Sequence, residues 1–544
     1  MAPRDEVNHT VVYHDDVAEA TKMGVAVEEV TATRITEDDV ARKSAEALTL
    51  KSKTGLRILL YMLIMGANQA GYGVDWGVIS SINSNPRWHD YYGFPDAGPI
   101  IATINALMQI GSFIGAPFLS CADIVGRRGV NFIGNALVII AAIMQAVAPN
   151  LACLMAGRLV LGFGTALCTA PQYVAEVAPV HLRGRIVGFF GAFFQVGSLG
   201  MIGIMMGLTG WESDWQWRCA FLIQAIFPLI VCIGLYTVCP ESPRYLLMKG
   251  KKEKAREMIA KYMTTHNDIN HEIVDVVVSQ IEESIENTKA GFRATWDFRV
   301  FFTRAVGFRT TVLAIYAVFQ QWNGGGIIGY YLSPALKTIG INGQLEQLGI
   351  NLGSTGLYFI FTMVGAYIID FFRRRTLIFA GLVSIILAQT AVTITSWQYT
   401  ETGLKSTAIL TVVWIYCFQI CSASFIATMH NLYPVELLSL PLRAKGMGVF
   451  AMFQAIAAVI HTYGIGIGVE KLGYKIWAVY IVYNFVQIFI SYYIFPETSR
   501  LTLEEIDNIF ETAGTQPVKL SIKIADAKRE KRKLEREAAV NPEF

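Results

Sequence analysis

Runs of mostly apolar residues recur along the chain, separated by short polar stretches. They fall near 57–82, 98–121, 130–149, 152–175, 186–209 and 219–239, and again near 310–335, 347–370, 376–397, 407–431, 446–469 and 475–495. A hydrocarbon core about 30 Å thick needs roughly 20 such residues per helix. Lipid offers no partner to backbone N–H and C=O groups, so a spanning segment closes its hydrogen bonds within a helix. The pattern predicts an all-α membrane protein with twelve transmembrane helices in two sets of six. The polar stretch between the sets contains "KGKKEKAREMIAKY" and "SQIEESIEN", which predict amphipathic helices in a soluble linker. The expected divisions are a polar tail at 1–55, a first half at 56–239, the linker at 240–307, a second half at 308–496 and a charged tail at 497–544.

The two sets echo each other. "ADIVGRR" (122–128) returns as "IDFFRRR" (369–375), "AEVAPVHLRGR" (175–185) as "VELLSLPLRAKG" (435–446), and "PESPR" (240–244) as "PETSR" (496–500). Three motifs keep their order at nearly constant spacing, with residues 123, 176 and 240 matched by 370, 436 and 496. A parallel repeat of two six-helix halves places a substrate site at their interface, near the middle of the membrane. Lys and Arg concentrate in the loops that alternation puts on one side: Arg127, Arg128, Arg183, Arg185, the linker, Arg373 to Arg375, Arg443 and Lys445. By the positive-inside rule that side is cytoplasmic, and both tails share it.

Composition agrees with a membrane protein. Hydrophobic residues make up 53% and charged residues 16%, against about 25% charged in soluble domains. The net charge of +2 gives no reason to expect a nucleic-acid partner. The eight cysteines contain no CxxC pair and are expected to be small buried hydrophobes. No HExxH, GxSxG or nucleotide-binding glycine loop argues for an enzyme, a metal or a cofactor. "GIGIGVEKLG" (464–473) lies at the end of an apolar span with no strand before it, so it is not a phosphate loop. The first 55 residues lack the apolar core of a signal peptide and are expected to hold at most one short helix.

Two polar features interrupt the oil. "GVDWGVISS" (73–81) puts Asp75 inside the first span, and "GRLVLGFG" puts Arg158 inside the fourth. An ionisable residue in a span is a functional hypothesis by default. The alternative is a static bridge that only holds two helices in register. "FQQWNGGGIIGYYLSP" (319–334) gathers Gln320, Gln321, Asn323, Tyr330 and Tyr331 around three glycines, which favour an unwound helix. Such groups can be interhelical glue, or they can grip a solute whose hydroxyls both donate and accept. His89, in "RWHDYYG" just outside the first span, is expected to be a solvated loop residue.

"ADIVGRR", "GRLVLGFGTALCTAPQYVAEVAPVHLRG", "WQWR", "PESPRYLLMKGKKEKA", "QQWNGGGIIGYYLSP" and "FPETSRLTLEEI" together resemble the sugar porter family of the major facilitator superfamily, from about residue 57 to 510. The resemblance implies the major facilitator fold, alternating access, and transport of sugars or polyols by facilitated diffusion or proton symport. "QWNGGGIIGYY", "YPVELLSLPLRAKG" and "IHTYGIGIGVEKLGYKIWAVY" look closer to the fungal disaccharide, lactose-permease-like branch than to hexose carriers.

The resemblance implies a substrate site built from Gln195, Gln320, Gln321 and Asn323, with Tyr330 and Tyr331 as a tyrosine pair that gates it from outside. Here the family pattern is altered. Gly326 stands where hexose carriers show an asparagine. Asn431, with His430 beside it, replaces a tenth-span tryptophan, Tyr358 replaces an eighth-span asparagine, and His461 stands where relatives show asparagine. A rebuilt C-terminal side points away from a tight monosaccharide fit and toward a larger substrate or a non-sugar. Asp75 and Arg158 are the implied proton-coupling pair, driven by a proton gradient. Asp123, Arg127, Arg128, Glu176, Arg183, Glu241 and Arg244, repeated as Asp370, Arg374, Glu436, Arg443, Glu497 and Arg500, are the implied cytoplasmic charge latch. The expected protein is a monomeric, multi-pass plasma-membrane transporter of a di- or oligosaccharide. The alternatives are a hexose or polyol carrier and a non-transporting sugar sensor.

Overall fold

The computed structural model describes residues 37–49, 51–168, 170–288, 299–369, 371–430, 432–438, 443–499, 501, 503–511 and 516–540. Asp370, Asn431 and Arg500 lie outside the described residues, as do the side chains of Arg183 and Arg443.

Among the described residues, twelve helical segments follow one another in two sets of six. The first set is α1 (Lys53–Ile82), α2 (Pro99–Gly115), α3 (Arg127–Ala146), α4 (Leu151–Leu167), α5 (Arg183–Leu208) and α6 (Trp215–Ile223, resuming at Ile226–Thr237). The second is α7 (Arg304–Gln321, resuming at Gly325–Lys337), α8 (Gln344–Ile368), α9 (Arg374–Thr402), α10 (Lys405–Cys421, then short π, 3-10 and α turns to Leu437), α11 (Arg443–Leu472) and α12 (Ile476–Ile494). Helices Pro243–Met248, Lys252–Met263 and Glu272–Thr288 lie between the sets, and their end of the bundle is called the linker side below. Near the termini, Glu37–Ala47 packs against the linker helices through Lys43–Glu272 at 2.5 Å, and Pro517–Val540 reaches back through the Arg373–Asp526 and Lys528–Glu505 ion pairs.

Among the described residues, the helices apolar and long enough to cross a membrane by composition alone omit α1 and α7. The reason is chemical. α1 carries Asn68, Gln69 and Asp75, while α7 carries Gln320 and Gln321 and is broken at Trp322–Gly324. These two segments spend apolar character on the interior of the bundle.

Within the first half, helices approach until only glycine fits. A β-carbon on Gly197 of α5 would stand 2.1 Å from the carbonyl oxygen of Ala70 on α1. One on Gly162 of α4 would stand 2.0 Å from that of Met108 on α2. Without a hydrophobic drive in lipid, such close backbone packing is a main source of helix association.

The halves are joined at the side opposite the linker, and one proline explains the central link. Pro334 has no N–H to give to the carbonyl four residues earlier, and the helix departs from α geometry at Tyr331 (φ −129°, ψ 25°). The Tyr330 carbonyl so released accepts from Nδ2 of Asn83, in the other half, at 2.9 Å. The Asn83 carbonyl in turn accepts from Ser333 Oγ at 3.2 Å. Asn351 Nδ2 donates to the Ser80 carbonyl at 3.2 Å, Thr103 and Tyr463 share a bond at 2.7 Å, and Lys337 pairs with Asp96.

Two expectations are corrected. His89 is not a solvated loop residue: it is 6% exposed, packed edge-on against Trp88 and Phe94, with Nε2 3.2 Å from the Asn83 carbonyl and 3.3 Å from Asp96. Its short helix, Pro86–Tyr92, folds back under the Asn83 hub instead of standing in water. Of the cysteines, only Cys239 is buried; the other seven are intermediate, and Cys168 among them lines the central cavity.

Candidate functional site

Between the halves lies a cavity of about 930 Å³. Its wall carries eight glutamines: Gln69, Gln109, Gln195 and Gln224 from the first half, and Gln320, Gln321, Gln419 and Gln454 from the second. Among the described residues the wall holds one carboxylate, Asp75, two histidines, His430 and His461, and no Lys or Arg. It descends toward the linker side past Ala116, Leu119 and Cys168 on one half and Ala427, Gly448 and Met452 on the other. The far side is closed by the Asn83 contacts, so the chamber faces the linker side.

The amides divide into held and free. Gln320 Nε2 donates to Tyr316 Oη at 2.7 Å, and Gln419 donates to Ser354 Oγ at 3.1 Å. Gln109 reaches Tyr330 Oη at 3.4 Å. Gln195 and Gln321 line the cavity, and among the described residues no protein group bonds their side chains. Their hydrogen-bonding capacity is available to a solute.

The break in α7 is where the glycines predict it, at Trp322–Gly324, with Gly324 at φ 98°. The released backbone does not all line the chamber. The Asn323 carbonyl accepts from Gln389 Nε2 at 2.9 Å and Asn484 Nδ2 at 3.3 Å, while Asn323 Oδ1 accepts from the Gly325 N–H at 2.8 Å. Asn323 touches the cavity but works mainly as a joint between α7, α9 and α12. The tyrosine pair separates. Tyr330 lines the chamber against Trp76, with ring centroids 4.9 Å apart. Tyr331 is fully buried and points away, its hydroxyl donating to the Thr462 carbonyl at 3.1 Å; successive helical residues cannot share a face. His461 lines the chamber, is 5% exposed, and its Nε2 has no partner among the described residues.

Asp75 sits at the chamber edge with Arg158 fully buried behind it, Nη1 to Oδ1 2.6 Å. Gln224 Nε2 donates to the same carboxylate oxygen at 3.0 Å. A buried pair of this kind cannot lose one partner cheaply, because the other remains as a charge in low dielectric.

The charged motifs form one cluster in each half, and the two are built alike. Arg127 bonds Glu176 at 3.1 Å and Asp123 at 2.6 Å; Arg374 bonds Glu436 at 3.0 Å. Ser242 and Thr498 donate to those glutamates, and the hydroxyls of Tyr173 and Tyr433 donate to the carbonyls of Pro240 and Pro496. Glu241 and Glu497 have a different partner from the one expected. Glu241 accepts from the backbone N–H groups of Arg127 and Arg128 at 3.2 and 3.4 Å. Glu497 accepts from those of Arg374 and Arg375 at 3.0 and 3.2 Å. Each carboxylate caps the N-terminus of the third helix of its half, where unpaired N–H groups and the helix dipole favour an anion. The Arg128 guanidinium lies over the Tyr236 ring at 4.7 Å, and Arg244, in Pro243–Met248, takes no part in the cluster among the described residues. The ion pairs named here each join residues of one half, as a chamber facing the linker side requires.

Sequence reasoning passed over Gln69, Gln109, Gln224, Gln419 and Gln454. Each is a lone amide in an apolar run, and a lone amide reads as glue until the tertiary structure shows several converging.

A polar chamber between two repeated six-helix halves, closed on one side and open on the other, defines a major facilitator carrier. The chain belongs to the Sugar (and other) transporter family, which matches residues 59–510. It is 25% identical over 489 residues to the MFS-type transporter oryC of Aspergillus oryzae, covering 86% of this chain and 89% of that one. It is 26% identical over 444 residues to the D-xylose-proton symporter-like 1 of Arabidopsis thaliana, covering 80% and 83%. Among solved structures it shares its fold with the inward open conformation of the xylose transporter XylE from E. coli, with a TM-score of 0.68, 20% identity, and coverage of 83% of this chain and 99% of that one.

Proposed function

We propose that this sugar-transporter family member is a secondary active transporter of a neutral, polyhydroxylated solute, a di- or oligosaccharide, and that it couples uptake to protons through Asp75. The observation that carries the reading is the chamber wall: amides from both halves converge on it, while its one carboxylate is held by a buried arginine. An amide offers a donor and an acceptor on one side chain, which suits a hydroxyl. The unbonded amides of Gln195 and Gln321, and Nε2 of His461, are the groups that take hydroxyls in place of water. A cavity of about 930 Å³ leaves room for more than one sugar ring.

In the proposed cycle, protonated Asp75 releases Arg158 and substrate binds from the far side. Deprotonation on the linker side restores the ion pair seen here and resets the carrier. By the positive-inside rule the linker side is the cytoplasmic one in this reading, with both termini on it; the proposed carrier works as a monomer in the plasma membrane. The two charge clusters close that side by exchanging partners between halves when the chamber faces outward.

The test is tracer uptake by the full chain in proteoliposomes, using lactose, cellobiose, D-glucose, D-xylose and myo-inositol with and without an inward proton gradient. Accumulation of a disaccharide that a protonophore abolishes is expected. Uptake indifferent to the gradient removes the coupling role. Saturable binding without uptake turns the reading into a sensor.

A further inference from the structure

His430 is held between two amides of the chamber, and the chain of bonds that holds it has a direction. Its fixed end is the Met429 carbonyl, which can only accept. Tyr316 Oη lies 3.0 Å from that oxygen and therefore donates its proton to it. The tyrosine oxygen is thus left to accept, and it does so from Gln320 Nε2 at 2.7 Å. The Gln320 amide is now oriented: its nitrogen faces Tyr316, and its carbonyl oxygen faces the imidazole. That oxygen lies 3.3 Å from His430 Nδ1, so Nδ1 must carry the proton. In a neutral imidazole the other nitrogen is then bare and accepts, and Gln454 Nε2 stands 3.2 Å from it. Four side chains, Tyr316, Gln320, neutral His430 and Gln454, are set by one backbone carbonyl, because each link leaves its neighbour a single way to bond.

We propose that His430 is a specificity-determining positioning residue. As the neutral Nδ1–H tautomer, it locks Gln320 and Gln454 so that the chamber shows a solute a fixed donor from one and a fixed acceptor from the other. Gln320, His430 and Gln454 all line the cavity. With one amide hydrogen of Gln320 committed to Tyr316 and its oxygen to His430, what remains for a solute is its second N–H. Gln454, with one hydrogen committed to His430, keeps its second N–H and a carbonyl oxygen fixed in place as an acceptor. A free amide can turn over and serve either sense of a hydroxyl, whereas a locked pair cannot. The wall therefore selects a solute with one hydroxyl that accepts and another that donates at a set spacing, and it discriminates against the epimer that moves one of them. Nothing in this chain of bonds uses the Asp75–Arg158 pair, so the lock and the proton coupling are separable.

The inference rests on the transporter reading for its effect on substrate choice, but the lock itself is open to a measurement that needs no transport. Nitrogen-15 histidine spectra of the full chain, with His430 assigned by its loss in His430→Asn, are expected to show a protonated Nδ1 and a bare Nε2. Tyr316→Phe removes the link that orients Gln320 and is expected to disturb that signature. The opposite tautomer, or a signature indifferent to Tyr316→Phe, overturns the proposal even if the wild type transports nothing in the panel above. In uptake assays His430→Asn keeps a donor for Gln320 and loses the acceptor for Gln454; His430→Gln does the reverse. Each is expected to raise KM for the best-transported sugar of the panel about tenfold, the loss of one neutral hydrogen bond. The maximal rate is expected to stay within about twofold, with a pH profile parallel to the wild type and less discrimination between epimers. Unchanged KM and epimer preference in both variants, or a displaced pH profile, overturns it.

Discussion

Gly326 and His461 fill one space between them. A β-carbon on Gly326 would stand 2.2 Å from Cε1 of His461 and 3.0 Å from its Nδ1. The imidazole of α11 occupies the volume that a side chain on α7 would otherwise take, so the two residues are a matched pair. The bare α-carbon at 326 and the imidazole at 461 are thus one feature of the chamber wall.

Gly326→Asn is therefore expected to overpack the wall, at a cost of about 1–3 kcal/mol. It should lower the melting temperature and reduce uptake at least severalfold. Joined to His461→Ala, which empties the space, the same substitution should recover most of the stability. Thermal unfolding of the single and double variants checks this, and equal destabilisation in both would show that the two residues do not share the site.

Asp75→Asn leaves Arg158 as a buried, unpaired cation. Breaking a buried pair on one side costs about 3–5 kcal/mol. The variant is expected to melt well below the wild type, to lose accumulation against a gradient, and to show uptake insensitive to external pH. Asp75→Asn combined with Arg158→Gln removes the stranded charge and should regain stability while remaining uncoupled. Restored accumulation in the double variant would separate the pair from coupling.

His89 titrates with a sign that the geometry fixes. Burial lowers its pKa below the usual 6.5, outweighing the opposing pull of Asp96, while Lys337 pushes the same way as burial. The folded protein thus binds the proton less readily than the unfolded chain. Its contribution to stability is whole above about pH 6.5, is lost as pH falls through the lowered folded-state value, and changes no further below it. His89→Gln, which keeps a donor near the Asn83 carbonyl, should flatten that part of the dependence of melting temperature on pH. An identical acid slope in wild type and variant would refute the assignment.

Glu497 accepts from four backbone N–H groups, those of Arg374, Arg375, Thr498 and Ser499, and is 2% exposed. Glu497→Gln weakens the anion at the start of α9 and is expected to destabilise by about 1–2 kcal/mol. Because the cap lies far from the chamber, KM should stay within about twofold. A large change in KM with unaltered melting would mean that the carboxylate acts on transport directly.

The apolar runs, the repeated motifs and the glycine break were legible in the linear chain because each is local: helix length against bilayer thickness, a duplicated string, a residue without a β-carbon. Such signals give twelve helices, two halves and an interrupted α7. Facing is different. Tyr330 and Tyr331 are neighbours in sequence, yet one lines the chamber and the other bonds the Thr462 carbonyl. Glu241 and Glu497, read as partners for arginine side chains, instead cap helix N-termini. His89, set among polar loop residues, is buried under Asn83. Asn83 itself gives no signal in the sequence, because its role depends on a carbonyl released by Pro334, which is 251 positions further along the chain. Hydrophobic periodicity settles what can cross lipid. Only the packing of one half on the other decides which polar atoms meet, since a hydrogen bond needs about 3 Å between its heavy atoms and the order of residues does not fix a distance between helices.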